Sequence, residues 1–421
     1  MVASRPSTVL LGTLAGVLAA AGLGTHAGAA DDVARATLTF SGTATLEQSY
    51  DTNVMLQSVA GLAEIESWVT ALSANLGAEW RGVDGTTARL GYAPTWTQFE
   101  ARESEDSIAQ RLTASLGGKA AGGTYAVQGS AAFVDGSHDS VVFSGIGGAP
   151  ATGGATVRDR RDQGVYRASA RAEWKRGDWF ARPVASLYLA DFRTRQSAQT
   201  GYLNHVDRDD LNAGLDLGRA VRTGLSAYLG YRYGGQDQDK LLAYPEEYDN
   251  TYDRILAGLD GALAPWLSVA LAAGPEFRRY GPHVHATFPD RDVTLLYLDA
   301  TATATVARTD VVAMQVKQFQ QLSFAGRGAF DDLNIDLAWR HTFSPRASAG
   351  LTLHAYNTDF LAPAVRDDWL CTARLQGSFT LSAAWTIEAS LLLERGDSAI
   401  AAMPGREYDR SVTSLSFRAK L

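Results

Sequence analysis

The feature that most constrains this chain is an alternation of apolar and polar residues with a period of two, repeated from near residue 36 to the C-terminus. In 86–98, Ala88, Leu90, Tyr92 and Trp96 share one register, and Arg89, Thr95 and Thr97 the other. In 165–175, Tyr166, Ala168, Ala170, Ala172 and Trp174 oppose Arg167, Ser169, Arg171, Glu173 and Lys175. Successive side chains of a β-strand point to opposite faces, so each segment reads as a strand whose faces meet different solvents. Strands of soluble sandwiches average about five or six residues. Here the alternation lasts about 9–13 residues, the length with which a tilted strand crosses a bilayer.

Eighteen such segments can be counted, from 36–50 to 412–421, with sixteen as the alternative if the glycine-rich stretch is over-divided. Short links such as Arg176-Gly177-Asp178, Ala264-Pro265-Trp266 and Ser344-Pro345-Arg346 alternate with long polar ones such as 135–163, 191–208 and 235–251. Outer-membrane barrels alternate in this way, with tight turns at the periplasmic rim and long loops outside. The pattern predicts an all-β fold: a transmembrane antiparallel up-and-down β-barrel with both termini periplasmic. Trp80, Trp174, Trp179, Trp266 and Trp385 beside short links, and Trp68, Trp96, Trp369, Tyr50, Tyr233 and Tyr252 near long ones, are expected to form the two interfacial girdles.

The first residues supply an address. Arg5, the apolar run Val9–Leu23 and Ala27-Gly28-Ala29 have the order of a secretory signal with its cleavage site. Residues 1–29 are therefore expected to be removed, leaving 30–421 as one barrel domain in the outer membrane of a Gram-negative bacterium. The net charge of −8, without a basic block, gives no reason to expect nucleic acid. The single Cys371 cannot make an intramolecular disulfide. No cofactor or metal motif is visible.

The strand-one ending Tyr50-Asp51-Thr52-Asn53-Val54 resembles the Y-D-[ST]-N-[VI] opening of outer-membrane β-barrel porin families, some of which accompany exopolysaccharide-secretion genes. The last strand resembles the C-terminal signal read by the barrel-assembly machinery, although it ends on Leu421 and its nearest aromatic is Phe417. The resemblance implies a barrel and an outer-membrane address.

With the apolar register facing lipid, the other register faces the lumen. The pore-lining candidates are Arg89, Arg111, Arg167, Arg171, Glu173, Arg254, Asp260, Lys317, Asp336, Arg340, Arg374 and Glu388. So many charges call for a wet interior, as barrels of this strand number provide. They read either as a lining that selects ions or as cross-strand pairs that stabilise a polar wall. The loop 135–163 is expected either to fold inward as a constriction or to lie outside. Acidic loops such as Asp207-Arg208-Asp209-Asp210 offer oxygen ligands to divalent cations bridging lipopolysaccharide, or are simply solvated.

The function expected is a water-filled channel for passive diffusion of small hydrophilic solutes. The alternatives are an exopolysaccharide export conduit or, in another class, an adhesin or hydrolase on a barrel scaffold. A hydrolase would draw on His341 and His354 with Ser344 and Ser348. A sugar conduit would pair aromatics with arginines along a lumenal track, and the lumenal register is poorer in aromatics than the lipid register. The outer-membrane lipid and lipopolysaccharide, the assembly machinery and the transported solute are the expected partners; no oligomeric state is implied.

Overall fold

The computed structural model describes residues 36–56, 58, 63–136, 162–193, 206–240, 245–323, 328–363, 365–400 and 407–421. The proposed signal segment and most of the loop 135–163 lie outside these residues. The unit Thr37–Leu421 contains eighteen strands. They are β1 (Thr37–Asp51), β2 (Ser67–Arg81), β3 (Thr87–Phe99), β4 (Ser107–Ala120), β5 (Gly123–Asp135) and β6 (Gln163–Arg176). Next come β7 (Trp179–Asp191), β8 (Arg208–Arg222), β9 (Leu225–Gln238), β10 (Asn250–Ala264), β11 (Leu267–Tyr280) and β12 (Asp292–Ala307). The last are β13 (Asp310–Leu322), β14 (Ala329–Ser344), β15 (Ala347–Phe360), β16 (Arg366–Thr380), β17 (Trp385–Ser398) and β18 (Tyr408–Lys420).

Each strand pairs antiparallel with the next, and β1 pairs with β18 from Thr43↔Lys420 to Asp51↔Val412. The sheet is closed, so the count is eighteen and the sixteen-strand alternative falls. Closure leaves no unpaired edge. One rim carries the short turns. Between β4 and β5, for example, Ala121 and Gly122 both take positive φ, of 50° and 77°, as a two-residue turn following the strand twist requires. The other rim carries the loops.

The outside is apolar. Leu229 is 69% exposed and Trp179 62%, and Phe40, Leu217, Ile255, Leu296 and Leu375 are exposed with them. Trp80, Trp174, Trp266 and Trp385 stand exposed near the turn rim, and Trp68, Trp96 and Trp369 near the loop rim. In water such a surface would aggregate; around a closed barrel it is a lipid-facing belt with its aromatic girdles. The chain is a transmembrane barrel of the outer-membrane type. Tyr252 is a correction to the expected girdle: Ile255 on the same strand faces lipid, which puts Tyr252 in the inward register, fully buried.

The Tyr50–Val54 motif closes the barrel. Arg410 of β18 donates from Nε and Nη2 to the two oxygens of Asp51, at 2.9 and 2.7 Å. The Asn53 N–H turns back on Asp51 Oδ1 at 3.0 Å, and its Nδ2 donates to the Asp409 carbonyl at 3.0 Å. Thr52 and Ser411 exchange bonds through the Thr52 N–H and the Thr52 hydroxyl. This clasp turns the chain inward, so that Leu56 packs with Tyr356, Leu370 and Tyr408 on the inner wall.

Candidate functional site

At the loop rim the β13–β14 hairpin parts from β12 and, still paired with β15 to Phe330↔Phe360, turns inward. Pairing between β12 and β13 stops at Leu298↔Gln318, whereas β13 and β14 stay paired to Leu322↔Ala329. Gln320 and Leu322 lie in the register that Val312, Met314 and Val316 present outward lower on β13. Here they meet no lipid. They meet the inner wall of β8, β9 and β11, so the hairpin end lies inside the lumen.

The anchors are polar and buried. Arg208 of β8 donates from Nη1 to the Leu322 carbonyl at 2.6 Å and from Nη2 to Gln321 Oε1 at 2.9 Å. Arg278 of β11 donates from Nη2 to the Gln320 carbonyl at 2.8 Å, and the Tyr280 hydroxyl bonds Gln320 Oε1 at 2.5 Å. Gln238 donates from Nε2 to the Ser323 carbonyl at 2.5 Å. Apolar packing continues across the lumen, where Phe330 and Phe360 meet Tyr188 and Ala190 of β7 and Phe192 just beyond it. On the other flank Leu322 and Ala329 pack with Tyr248, Tyr280 and Phe288.

Beneath the hairpin the inner face of β7–β12 is a continuous ionic layer. Glu276 bonds both Arg254 and Arg278, and Arg278 also donates to Gln236 Oε1 at 2.7 Å. Asp210 accepts from Gln236 Nε2 and from the Tyr252 hydroxyl, each at 2.8 Å. Asp216 lies between Arg182 at 2.9 Å and Arg232 at 2.6 Å. Arg254 stacks between Tyr252 and Tyr297, each ring centroid at 4.2 Å, and Arg182 lies 4.7 Å from that of Tyr228. On this arc the lumenal register thus pairs aromatics with arginines. Glycines make room for the flat rings: a Cβ on Gly234 would come 2.4 Å from Tyr252, and one on Gly258 2.1 Å from Tyr228.

Toward the turn rim the lumen is open and wet. A cavity of about 940 Å³ is lined by Arg171, Glu173, Lys175, Arg182, Asp260 and neighbouring residues. It adjoins a second of about 610 Å³, walled by Gln128, Ser169, Arg171, Asn212 and Tyr228.

All twelve pore-lining candidates fall in the inward register, but they meet two environments. Arg254 and Lys317 are buried in the ionic layer, where each has a carboxylate partner. The wet interior expected from so many charges lies along the other arc and the turn-side half. There Arg89 pairs with Glu79 at 2.9 Å, and Glu173 with Lys175 at 3.1 Å. Asp260 meets Arg182 at 3.1 Å, and Glu388 meets Arg418 at 2.7 Å. Asp336 bonds His354 at 2.7 Å, and Arg167 lies over the Tyr188 ring. Arg111, Arg171, Arg340 and Arg374 reach solvent.

The histidines are not brought together. His354 is inward, whereas His341 shares the outward register of Trp339 and Phe343 and bonds Asp310 at 2.9 Å. Ser348 pairs with Ser378 instead. At the loop rim, burial pushes the Asp207 carboxyl up to about 6, with Asp191 and Asp239 adding to the rise. Burial likewise carries the Tyr248 phenol to about 12.

The constriction was not foreseen from the alternation. Its signal is the run Gln318-Phe319-Gln320-Gln321, which puts glutamines in the lipid register where a spanning strand would hold apolar residues.

No protein-family model and no curated protein matches the sequence. Among solved structures the chain is similar to OpdK of Pseudomonas aeruginosa with vanillate, at 9% identity and a TM-score of 0.44, covering 91% of this chain and 98% of that one. It is similar to OccK2 (OpdF) of the same species at 10% identity and a TM-score of 0.45, covering 91% and 98%. A BenF-like porin from Pseudomonas fluorescens Pf-5 gives 8% identity and a TM-score of 0.45, covering 91% and 99%. At such identities the likeness extends to barrel architecture alone.

Proposed function

We propose that the chain is a channel for passive diffusion of small hydrophilic solutes, narrowed at the loop rim by the β13–β14 hairpin. The observation that carries this reading is the charged, wetted lumen: the adjoining cavities of about 940 and 610 Å³ lie inside a closed apolar-belted barrel. A wall that needed only to be stable would not leave guanidinium groups in water. In this reading residues 1–29 are a cleaved export signal, 30–421 the mature barrel, and the turn rim with both termini is periplasmic. The assembly machinery reads β18. Asp209 and Asp237, opposite each other on the outer loop rim, meet lipopolysaccharide phosphates through divalent cations.

The stacked arginines and tyrosines of β7–β12 are the one feature favouring an exopolysaccharide conduit. The hairpin end bonds Arg278 and Tyr280, so a sugar chain would reach that part of the arc only with the hairpin displaced. Both readings are tested by single-channel recording of the mature protein and of a variant in which Asn-Gly replaces 319–332. That variant joins Gln318 to Leu333, its cross-strand partner, through a two-residue turn. Discrete steps from the mature protein, larger in the shortened variant, are expected. A folded wild type that is silent, beside a conducting variant, would refute passive diffusion and favour the conduit.

A further inference from the structure

We infer that the wetted part of the lumen selects small anions, a reading that rests on the channel proposed above. The charge of the wetted lumen is unbalanced. The lumen-facing carboxylates are mostly neutralised: Glu79 by Arg81 and Arg89, Glu173 by Lys175, Glu388 by Arg418, and Asp260 by Arg182, which also serves Asp216. Asp299 meets Lys317 at 3.4 Å. The cations are in excess. Arg111, Arg171, Arg340 and Arg374 are exposed, face the lumen, and make no ion pair among the described residues. Against them stand Glu47, half-buried, and Asp336, whose hydrogen-bond partner is His354.

Position strengthens the count. Arg111 and Arg171 lie on β4 and β6, and Arg340 and Arg374 on β14 and β16, on opposite sides of the ring. The arc between β7 and β13 is occupied by the hairpin and the ionic layer. A solute therefore passes between two walls that both present guanidinium groups. In a channel with low-dielectric walls, fixed charges of one sign concentrate the opposite ion and exclude their own. Guanidinium favours carboxylate and phosphate groups, which it can hold through two parallel bonds. The solutes that fit are small carboxylates and phosphate esters.

The test is the reversal potential of the mature protein in a planar bilayer under a potassium chloride gradient at low salt. Beside it runs the variant R111Q/R171Q/R340Q/R374Q, which keeps side-chain bulk and removes four charges. The expected chloride-over-potassium permeability ratio is about 3–10 for the wild type, set by the lining potential. It should fall to about 1 or below in the variant, and shrink in the wild type as screening grows toward molar salt. A wild-type ratio at or below 1, or a ratio unchanged in the variant, overturns the anion inference while leaving the channel standing. If the wild type is folded but silent, the channel reading fails. The same ratio read on the hairpin-shortened chain, with and without the four substitutions, then decides the inference alone.

Discussion

Replacing Arg208 with alanine should loosen the constriction without unmaking the barrel. Arg208 is 3% exposed, makes two charged bonds to the hairpin end, and lies over the Tyr188 ring at 5.3 Å. Bonds from a charged donor contribute about 1.5–3 kcal/mol each. Part of that gain offsets the cost of keeping a guanidinium from water, so the net loss on truncation is about 3 kcal/mol. The bonds from Gln238, Arg278 and Tyr280 remain, so the hairpin still docks. Its open population rises about 100-fold, at a factor of ten for each 1.4 kcal/mol. Single-channel recording should show new, brief openings to the conductance of the hairpin-shortened variant. In the shortened background Arg208→Ala should add no such openings, because the groups it anchored are gone. Equal extra noise in both backgrounds would refute the reasoning, since it would place the effect in the wall. So would an unchanged trace from a folded R208A barrel.

Two further predictions concern the loop rim. Asp51→Ala removes the carboxylate that clasps Arg410 and leaves that guanidinium beside Glu394 alone, a loss of about 3 kcal/mol for a broken buried pair. The temperature at which the folded barrel loses its compact mobility on gels should fall, and an unchanged midpoint would remove the clasp from the account of closure. Asp207 holds its proton to about pH 6 in the folded chain, above its ordinary value of 3.8, so its stabilising contribution is full below pH 4 and lost as pH rises through 6. The full effect is about 3 kcal/mol, reduced to about 1 by solvent screening of a half-exposed rim. Asp207→Asn should therefore slow hydrogen exchange of the Phe192 amide, which bonds Asp207 Oδ1 at 2.8 Å, about fivefold at pH 7.5 and not at pH 4.5; an equal effect at both values would contradict it.

Most of the barrel was legible because its rule is local. A strand with lipid on one side and water on the other must alternate, and Leu90, Leu337 and Phe417 declare their side whatever the rest of the chain does. The inward register of the twelve charged candidates follows from the same parity. What parity cannot tell is how far an inward side chain is from water, because that depends on what crosses the lumen. Arg171 and Arg254 read alike in sequence, yet one is exposed to the lumen and the other is buried against Glu276. Tyr252 was misplaced for a similar reason: an aromatic near a strand end suits a girdle, and only its register relative to Ile255 excludes it.

The glutamines of β13 and the arginines of β8 and β11 are mutually dependent. A guanidinium as buried as that of Arg278, 0% exposed in its side chain, persists only where other groups replace its water. Glu276 and Gln236 supply part of that shell, and the Gln320 carbonyl supplies the rest from a strand that has parted from β12. Conversely, a hairpin end that turns from lipid gains nothing from apolar residues in its outward register. It needs side chains and backbone that can bond an ionic surface. Gln320 meets that need twice, accepting from Tyr280 at its side chain and from Arg278 at its carbonyl. The departure from alternation at 318–321 and the burial of charge on β8–β11 are therefore one adaptation. Replacing the glutamines alone by apolar residues would strand Arg278 rather than restore a spanning strand.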